Sequence, residues 1–136
     1  MDLLKTMMIS AAGMRAQEQR IRVISENLAN ASSLARNPGG EPYRRKVVTF
    51  TNVLDRELGV ETVRVRKIER DSSEFPLKFD PGHPAANADG YVSLPNVNGL
   101  IEMMDMREAQ RSYEANLKVI EAARDMLMRT LEVLQA

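Results

Sequence analysis

Residues 98–134 constrain the fold more than any other stretch. Met103, Met106, Gln110, Tyr113, Leu117, Ile120, Arg124, Leu127, Leu131 and Leu134 follow one another at alternating steps of three and four, the spacing of a helix packed along a seam. Met106, Tyr113, Ile120, Leu127 and Leu134 hold one line with apolar side chains. Gln110 and Arg124 interrupt the other with groups that need polar partners or solvent. Val119, Ala122, Met126 and Val133 form a second apolar line on a neighbouring face. At about 1.5 Å per residue the helix is about 55 Å long, and too little chain remains to wrap it. Either it lies in a helical hairpin, or it packs between several copies or several proteins; its length and two-sided apolar surface point to the second.

The amino-terminal segment, to about residue 31, has matching periodicity. Leu3, Met7, Met14, Ile21, Ile24 and Leu28 keep the three-and-four steps, with Ser10 and Gln17 at the weaker positions. Gly13 costs about 1 kcal/mol relative to alanine in a helix interior. Together with Ala11, Ala12 and Ala16 it either lets a neighbouring helix come close or belongs to a simple alanine-rich helix. Asn27, Asn30, Ser32 and Ser33 favour turns and caps, and the run Asn37-Pro38-Gly39-Gly40-Glu41-Pro42 ends any regular element.

After this break the pattern changes to short strands. Lys46-Val47-Val48-Thr49-Phe50 and residues 60–68 read as strands, with a helical turn expected over residues 52–58 between them. The run from Phe75 to Pro84 holds three prolines and cannot be a central strand, while Tyr91-Val92-Ser93-Leu94 is extended after the turn-forming Asp89-Gly90. Asn96, Asn98 and Gly99 are candidate caps for the long helix, with Glu102 and Asp105 in its first turns. The expected fold is mainly α with a small β-rich insert, the long N- and C-terminal helices forming an antiparallel coiled-coil-like hairpin. Residues 1–36 and 97–136 make the helical core domain, and 37–96 make the insert.

Chemistry is hard to place on this chain. It has 136 residues with 19 basic and 19 acidic side chains, so no global field attracts nucleic acid or an anionic membrane. Arg44-Arg45-Lys46 is a short run, and Arg64-Val65-Arg66-Lys67 reads as the solvated face of a strand. Three Tyr, three Phe and no Trp leave burial to aliphatic residues and nine Met. The absence of cysteine removes disulfide and thiolate chemistry. His83 is the only histidine, so it is a loop residue or, with Asp80 and Asp89, part of a mixed metal site. Asp80, Asn87 and Asp89 lack EF-hand spacing, and no glycine-rich phosphate loop occurs. The reading is therefore no enzyme, with no catalytic residue, cofactor, metal, nucleic acid or small-molecule substrate. No apolar run is long enough to span a bilayer, and the amino terminus lacks a signal-peptide core with a cleavage site. Export, if it occurs, uses a route that cleaves no classical signal.

Three stretches resemble the flagellar basal-body rod protein family, its proximal-rod members in particular. Ile9-Ser10-Ala11-Ala12-Gly13-Met14-Arg15-Ala16-Gln17, continuing to Ile24-Ser25-Glu26-Asn27-Leu28-Ala29-Asn30, is similar to the amino-terminal signature of rod and hook proteins. Asp80-Pro81-Gly82-His83-Pro84, Ala88-Asp89-Gly90-Tyr91-Val92 and Leu94-Pro95-Asn96-Val97-Asn98 resemble the proximal-rod insert. Glu102-Met103-Met104-Asp105-Met106 with Tyr113-Glu114-Ala115-Asn116-Leu117 resembles the carboxy-terminal axial helix.

The resemblance implies a structural subunit of the bacterial flagellum, exported unfolded through the flagellar type III apparatus and assembled in the periplasmic rod that transmits torque. It implies terminal helices in the inner tube wall with the insert facing outward. The implied partners are copies of the chain, the rod proteins FlgB, FlgF and FlgG, and the FliE adaptor. With the apolar lines it marks an assembly interface of Met7, Met14, Ile21, Ile24, Asn27, Leu28, Asn30, Met106, Tyr113, Asn116, Leu117, Ile120, Leu127, Leu131 and Leu134. Asn27 and Asn30 are caps, interface groups or part of export recognition. The alternative is a cytoplasmic helical adaptor that uses the same faces for one partner helix; a metal-dependent hydrolase centred on His83 is a third reading.

Overall fold

The computed structural model describes residues 2–136. Helix α1 spans Leu3–Ala29 and helix α2 spans Gly99–Gln135. Between them lie β1 (Lys46–Asp55), β2 (Val60–Arg70), β3 (Leu77–Phe79) and β4 (Tyr91–Ser93), as two separate two-stranded sheets, β1 with β2 and β3 with β4.

Local chemistry accounts for the element ends. Asp2 caps α1, its Oδ1 accepting the Leu4 N–H at 2.9 Å. Asn98 caps α2, its Oδ1 accepting the N–H groups of Leu100 at 3.1 Å and Ile101 at 3.4 Å. The expected helical turn over 52–58 is instead strand up to Asp55 followed by a tight turn. Asp55 Oδ1 accepts from the Glu57 and Leu58 N–H groups at 3.0 and 3.2 Å. Gly59 closes this turn at φ +67°, a conformation glycine adopts without steric cost. In the second sheet β3 and β4 are antiparallel, Phe79 opposite Tyr91 and Leu77 opposite Ser93.

Two features of the expected fold are corrected. The helices hold 27 and 37 residues of the 136, less than half, and with four strands the chain is a helix and strand mixture rather than mainly α. No coiled-coil seam runs along the large apolar line of α2. Met103, Leu117, Leu127, Leu131 and Leu134 are all exposed, Leu134 at 76%, while the residues α2 buries include Ala109 at 0% and Ala123 at 3%. The buried edge lies one residue away from the line 103, 110, 117, 124. Beyond Glu102 it carries Ala109, Asn116 and Ala123, so knobs of Leu and Met have no holes to fill there.

The chain divides into two compact units, one of residues up to Ile21 with 49–67 and 107–136, the other of 22–48 and 68–106. In the first unit α1 and α2 run antiparallel, since Gly13 faces Asn116 and Arg20 lies 3.5 Å from Glu108. A Cβ on Gly13 would stand 2.8 Å from Asn116 Nδ2, so glycine is what admits the amide. Ser10, Ala12 and Ala16 are buried on the α1 side of this unit. The second unit buries Val23, Ile24, Ala85 and Val92 around a polar centre.

Candidate assembly interface

The polar centre of the second unit fixes the end of α1, the start of α2 and the root of the β1–β2 hairpin. Asn27, on the last turn of α1, is 1% exposed. Its amide donates to the Lys46 carbonyl at 2.8 Å and its oxygen accepts the Lys46 N–H at 2.9 Å. This side chain therefore pairs with the first residue of β1 as a neighbouring strand would. The Tyr43 hydroxyl donates to the same Asn27 oxygen at 2.8 Å, and the Asn27 amide donates to Glu102 Oε2 at 3.3 Å.

Glu102, on the first turn of α2, is also 1% exposed. A buried carboxylate needs a cation, and Arg45 supplies it through Nε to Glu102 Oε1. The same guanidinium reaches Asp71 at 3.2 Å and Asp105 at 3.7 Å. Asn96 Oδ1 accepts the Arg45 N–H at 2.7 Å, and its amide donates to the Asp71 and Ser73 carbonyls at 3.1 and 3.2 Å. Arg44 donates to the Asp71 carbonyl at 2.9 Å and lies 4.2 Å over the Phe75 ring. Lys46 Nζ meets Glu26 at 2.6 Å. The run Arg44-Arg45-Lys46 is thus committed to internal partners.

These contacts shift the Asp71 and Tyr43 titrations among others. The Ser73 N–H and hydroxyl hold the Asp71 carboxyl below its ordinary value against an opposing effect of burial, and the Arg45 guanidinium lowers it further. Burial, followed by the Glu26 and Glu102 charges, raises the Tyr43 phenol.

The expected interface residues fall into three environments. Asn27 and Ile24 are buried inside the second unit. Met7, Met14, Ile21, Leu28, Asn30, Met106, Tyr113, Asn116 and Ile120 are half-buried. Leu117, Leu127, Leu131 and Leu134 are exposed at 38, 43, 44 and 76%. Leu4, Met126, Met128 and Val133 join them, all above 50% exposed. Asn30 is a local helix-end group, its amide donating to the Glu26 carbonyl at 2.9 Å. His83 Nδ1 accepts the Ala85 N–H at 3.0 Å, and Asn87 Oδ1 accepts from Asp89 and Tyr91, both turn contacts. Among the described residues, no group of three or more His, Cys, Asp or Glu is placed to hold a metal ion. No helix is long and apolar enough to cross a membrane.

Comparison with known proteins shows the family of this chain. Residues 88–133 match the family of the flagellar basal body rod FlgEFG protein C-terminal region. The chain is 52% identical over 128 residues to the flagellar basal-body rod protein FlgC of Agrobacterium fabrum, covering 94% of this chain and 92% of the relative. It is 40% identical to FlgC of Borreliella burgdorferi over 153 aligned positions, with 99% of each covered. With FlgC of Bacillus subtilis it shares 41% over 140 positions, 92% of this chain and 93% of the relative. The chain belongs to the FlgC family of flagellar basal-body rod proteins. As a FlgC-family member it is a structural component of the flagellar basal-body rod and of the motility apparatus.

Sequence reasoning missed the polar centre of this FlgC-family chain. Glu102 reads from sequence as a first-turn acid complementing the helix dipole, and Asn96 as a cap. The structure gives both to the strand root through Arg45. A buried role for Glu102 had one signal, its place in the heptad-spaced series 102, 109, 116, 123, whose other members Ala109, Asn116 and Ala123 are small.

Proposed function

We propose that the chain is a subunit of the proximal rod that self- and co-assembles into the helical drive shaft transmitting torque from the motor. It is exported through the flagellar type III apparatus without a cleaved signal peptide and assembles in the periplasm with copies of itself, FlgB, FlgF, FlgG and the FliE adaptor. Residues 1–36 and 97–136 form its axial part and 37–96 the part that faces outward. The observation that carries this reading is the apolar surface left open on the terminal helices, from Leu4 to the last turns of α2. Side chains this large and this exposed, on helices too long for one small chain to cover, gain their burial from neighbours.

Quantitative mass spectrometry of isolated basal bodies tests the reading. The chain is expected at a fixed ratio to FlgB, FlgF and FlgG; its recovery from cytosol alone would refute the role. Substituting Leu131→Asp on the open face leaves the monomer fold intact and prevents rod assembly, because each repeated interface then buries an unpaired charge.

A further inference from the structure

The entry of α2 holds a dipeptide whose main chain is open to reaction with its own side chain. Of the eight asparagines, Asn98 alone precedes a glycine. Asn98 is exposed, and a Cβ on Gly99 would meet no atom within 4 Å, so nothing shields the Gly99 nitrogen. As the first residue of α2, Gly99 carries an N–H with no intrahelical acceptor, and no other group among the described residues accepts it. The Asn98 Nδ2 has no hydrogen-bond partner among them either. Only Oδ1 is held, by the N–H groups of Leu100 at 3.1 Å and Ile101 at 3.4 Å. These donors draw electron density from Cγ and face the atom that becomes an oxyanion when a nucleophile adds there.

Asp89-Gly90, in the same unit, provides a contrast. An aspartate followed by glycine can cyclise in the same way, but here the Gly90 N–H donates to the Asn87 carbonyl at 3.0 Å. Gly90 is also buried and sits at φ +85°, with atoms of Phe79 and Pro81 at 3.0 and 3.2 Å from its Cβ position. The turn therefore ties down the nitrogen that the start of α2 leaves free.

We propose that Asn98 is a site of spontaneous covalent modification in the folded chain, deamidating through a succinimide formed with Gly99, and that the isoaspartyl product unfastens the start of α2. The Gly99 nitrogen gives its proton to a solvent base and bonds to Asn98 Cγ. The Cγ–Nδ2 bond breaks, and Nδ2 leaves as ammonia. One water then opens the ring. Addition at Cγ yields aspartate, whereas addition at the former main-chain carbonyl yields isoaspartate, with the chain running through Cγ and the α-carboxylate free. Aspartate keeps the cap and places its charge at the positive end of the helix. Isoaspartate lengthens the main chain by a methylene and turns the carbonyl that accepts the Glu102 N–H at 3.0 Å into a free carboxylate. Glu102, the buried partner of Arg45, then loses its backbone anchor.

The test uses the folded full-length chain, aged in mildly alkaline buffer and then offered to a protein isoaspartate O-methyltransferase with labelled S-adenosylmethionine. Peptide mass spectrometry locates the modified residues. The expected result is methyl acceptance that grows with time, maps to residue 98 and exceeds any at residue 89. Gly99→Ala, for which the structure has room, loses most of it. Asn98→Ser, which keeps a cap without an amide, loses all of it at this position. The aged chain melts at a lower temperature than fresh Asn98→Asp, because only the isoaspartyl product breaks the helix entry. Product at residue 98 no greater than at residue 89, reaction confined to the urea-unfolded chain, or an aged chain as stable as Asn98→Asp would overturn the inference.

Discussion

Replacing Gly13 by alanine tests the close helix contact, because two opposed effects of known size meet at one atom. In an unobstructed helix interior the substitution stabilises by about 1 kcal/mol, since alanine loses less backbone entropy on folding. Here the new Cβ lies 2.8 Å from Asn116 Nδ2 and 3.2 Å from Cγ and Oδ1. The amide must move, although its Nδ2 donates to the Ser112 carbonyl at 3.0 Å. Losing that bond costs about 1 kcal/mol, and forcing extra volume into a packed contact costs about 1–3 kcal/mol. The net expectation for Gly13→Ala is destabilisation by about 1–3 kcal/mol, a fall in Tm of roughly 3–12 °C for a chain of this size. In an Asn116→Ala background the obstructing atoms are gone, and Gly13→Ala should then stabilise by up to about 1 kcal/mol. The sign change corresponds to a coupling of about 2–4 kcal/mol in a double-mutant cycle, read by urea and thermal unfolding of the dilute chain with far-UV circular dichroism. A rise in Tm on Gly13→Ala with Asn116 present, or simple additivity of the two substitutions, would refute the packing derived for this pair.

Three further outcomes are expected. Glu102→Leu leaves Arg45 without its most buried partner and lowers unfolding stability by about 3 kcal/mol, measured by urea titration; a loss below about 0.5 kcal/mol would mean that Asp71 and Asp105 suffice for the guanidinium. Because the Asp71 carboxyl is held below its ordinary value of 3.8, its contribution is present above that pH and is lost as pH falls through the lower folded-state value. Asp71→Asn should therefore flatten the acid limb of a stability profile below about pH 4, and an unchanged limb would contradict the shift. Leu117→Asp, at a position already 38% exposed, should leave the circular dichroism spectrum of the monomer unchanged and abolish swimming; normal motility would remove this face from the assembly interface.

Much of the architecture was legible because it is local. Both helices, the break from Asn37 to Pro42 and the cap at Asn98 follow from periodicity and from residues that act on their own backbone. One line of the expected seam was misplaced by one residue because hydrophobicity ranks Leu117 above Asn116, while helix approach depends on size; Met106, Tyr113 and Ile120 of the other line are half-buried. Gly13 permits a close approach of Asn116 that a larger residue would prevent. The reading of residues 52–58 as a helical turn failed for a related reason. β1 continues to Asp55, where turn chemistry at Asp55 and Gly59 overrides the helical propensity of the intervening residues. The polar centre was the least legible part, since Asn27, Arg45, Asp71, Asn96 and Glu102 are distant in sequence and each has an ordinary local role. Pairing such groups requires the fold, and only the small-residue neighbours of Glu102 hinted at its burial.

The misplaced seam also bears on how the chain is used. If Leu117, Leu127, Leu131 and Leu134 had met α1, the helix pair would bury its own large apolar side chains and present a polar exterior. The small residues hold the helices together through close approach, which stabilises less by apolar burial but leaves the large side chains open. Leu134 at 76% and Val133 at 75% exposure are a liability for a monomer and become an advantage once a neighbour covers them. The polar centre complements this arrangement: Asn27 and Glu102 fix the root of the hairpin by directional bonds, a task that apolar contacts perform with little positional specificity. Apart from Val23, Ile24 and Val92 in the second unit, the most buried side chains are small or polar, and the apolar surface that remains is available for contacts between subunits. Enlarging the internal seam, for example by Ala109→Leu, should disturb the monomer more than Leu134→Ala does, and Leu134→Ala should reduce assembly more than it alters monomer unfolding. Comparing monomer unfolding midpoints with rod incorporation for these two variants would expose a reversal of that order, which would refute the division of roles.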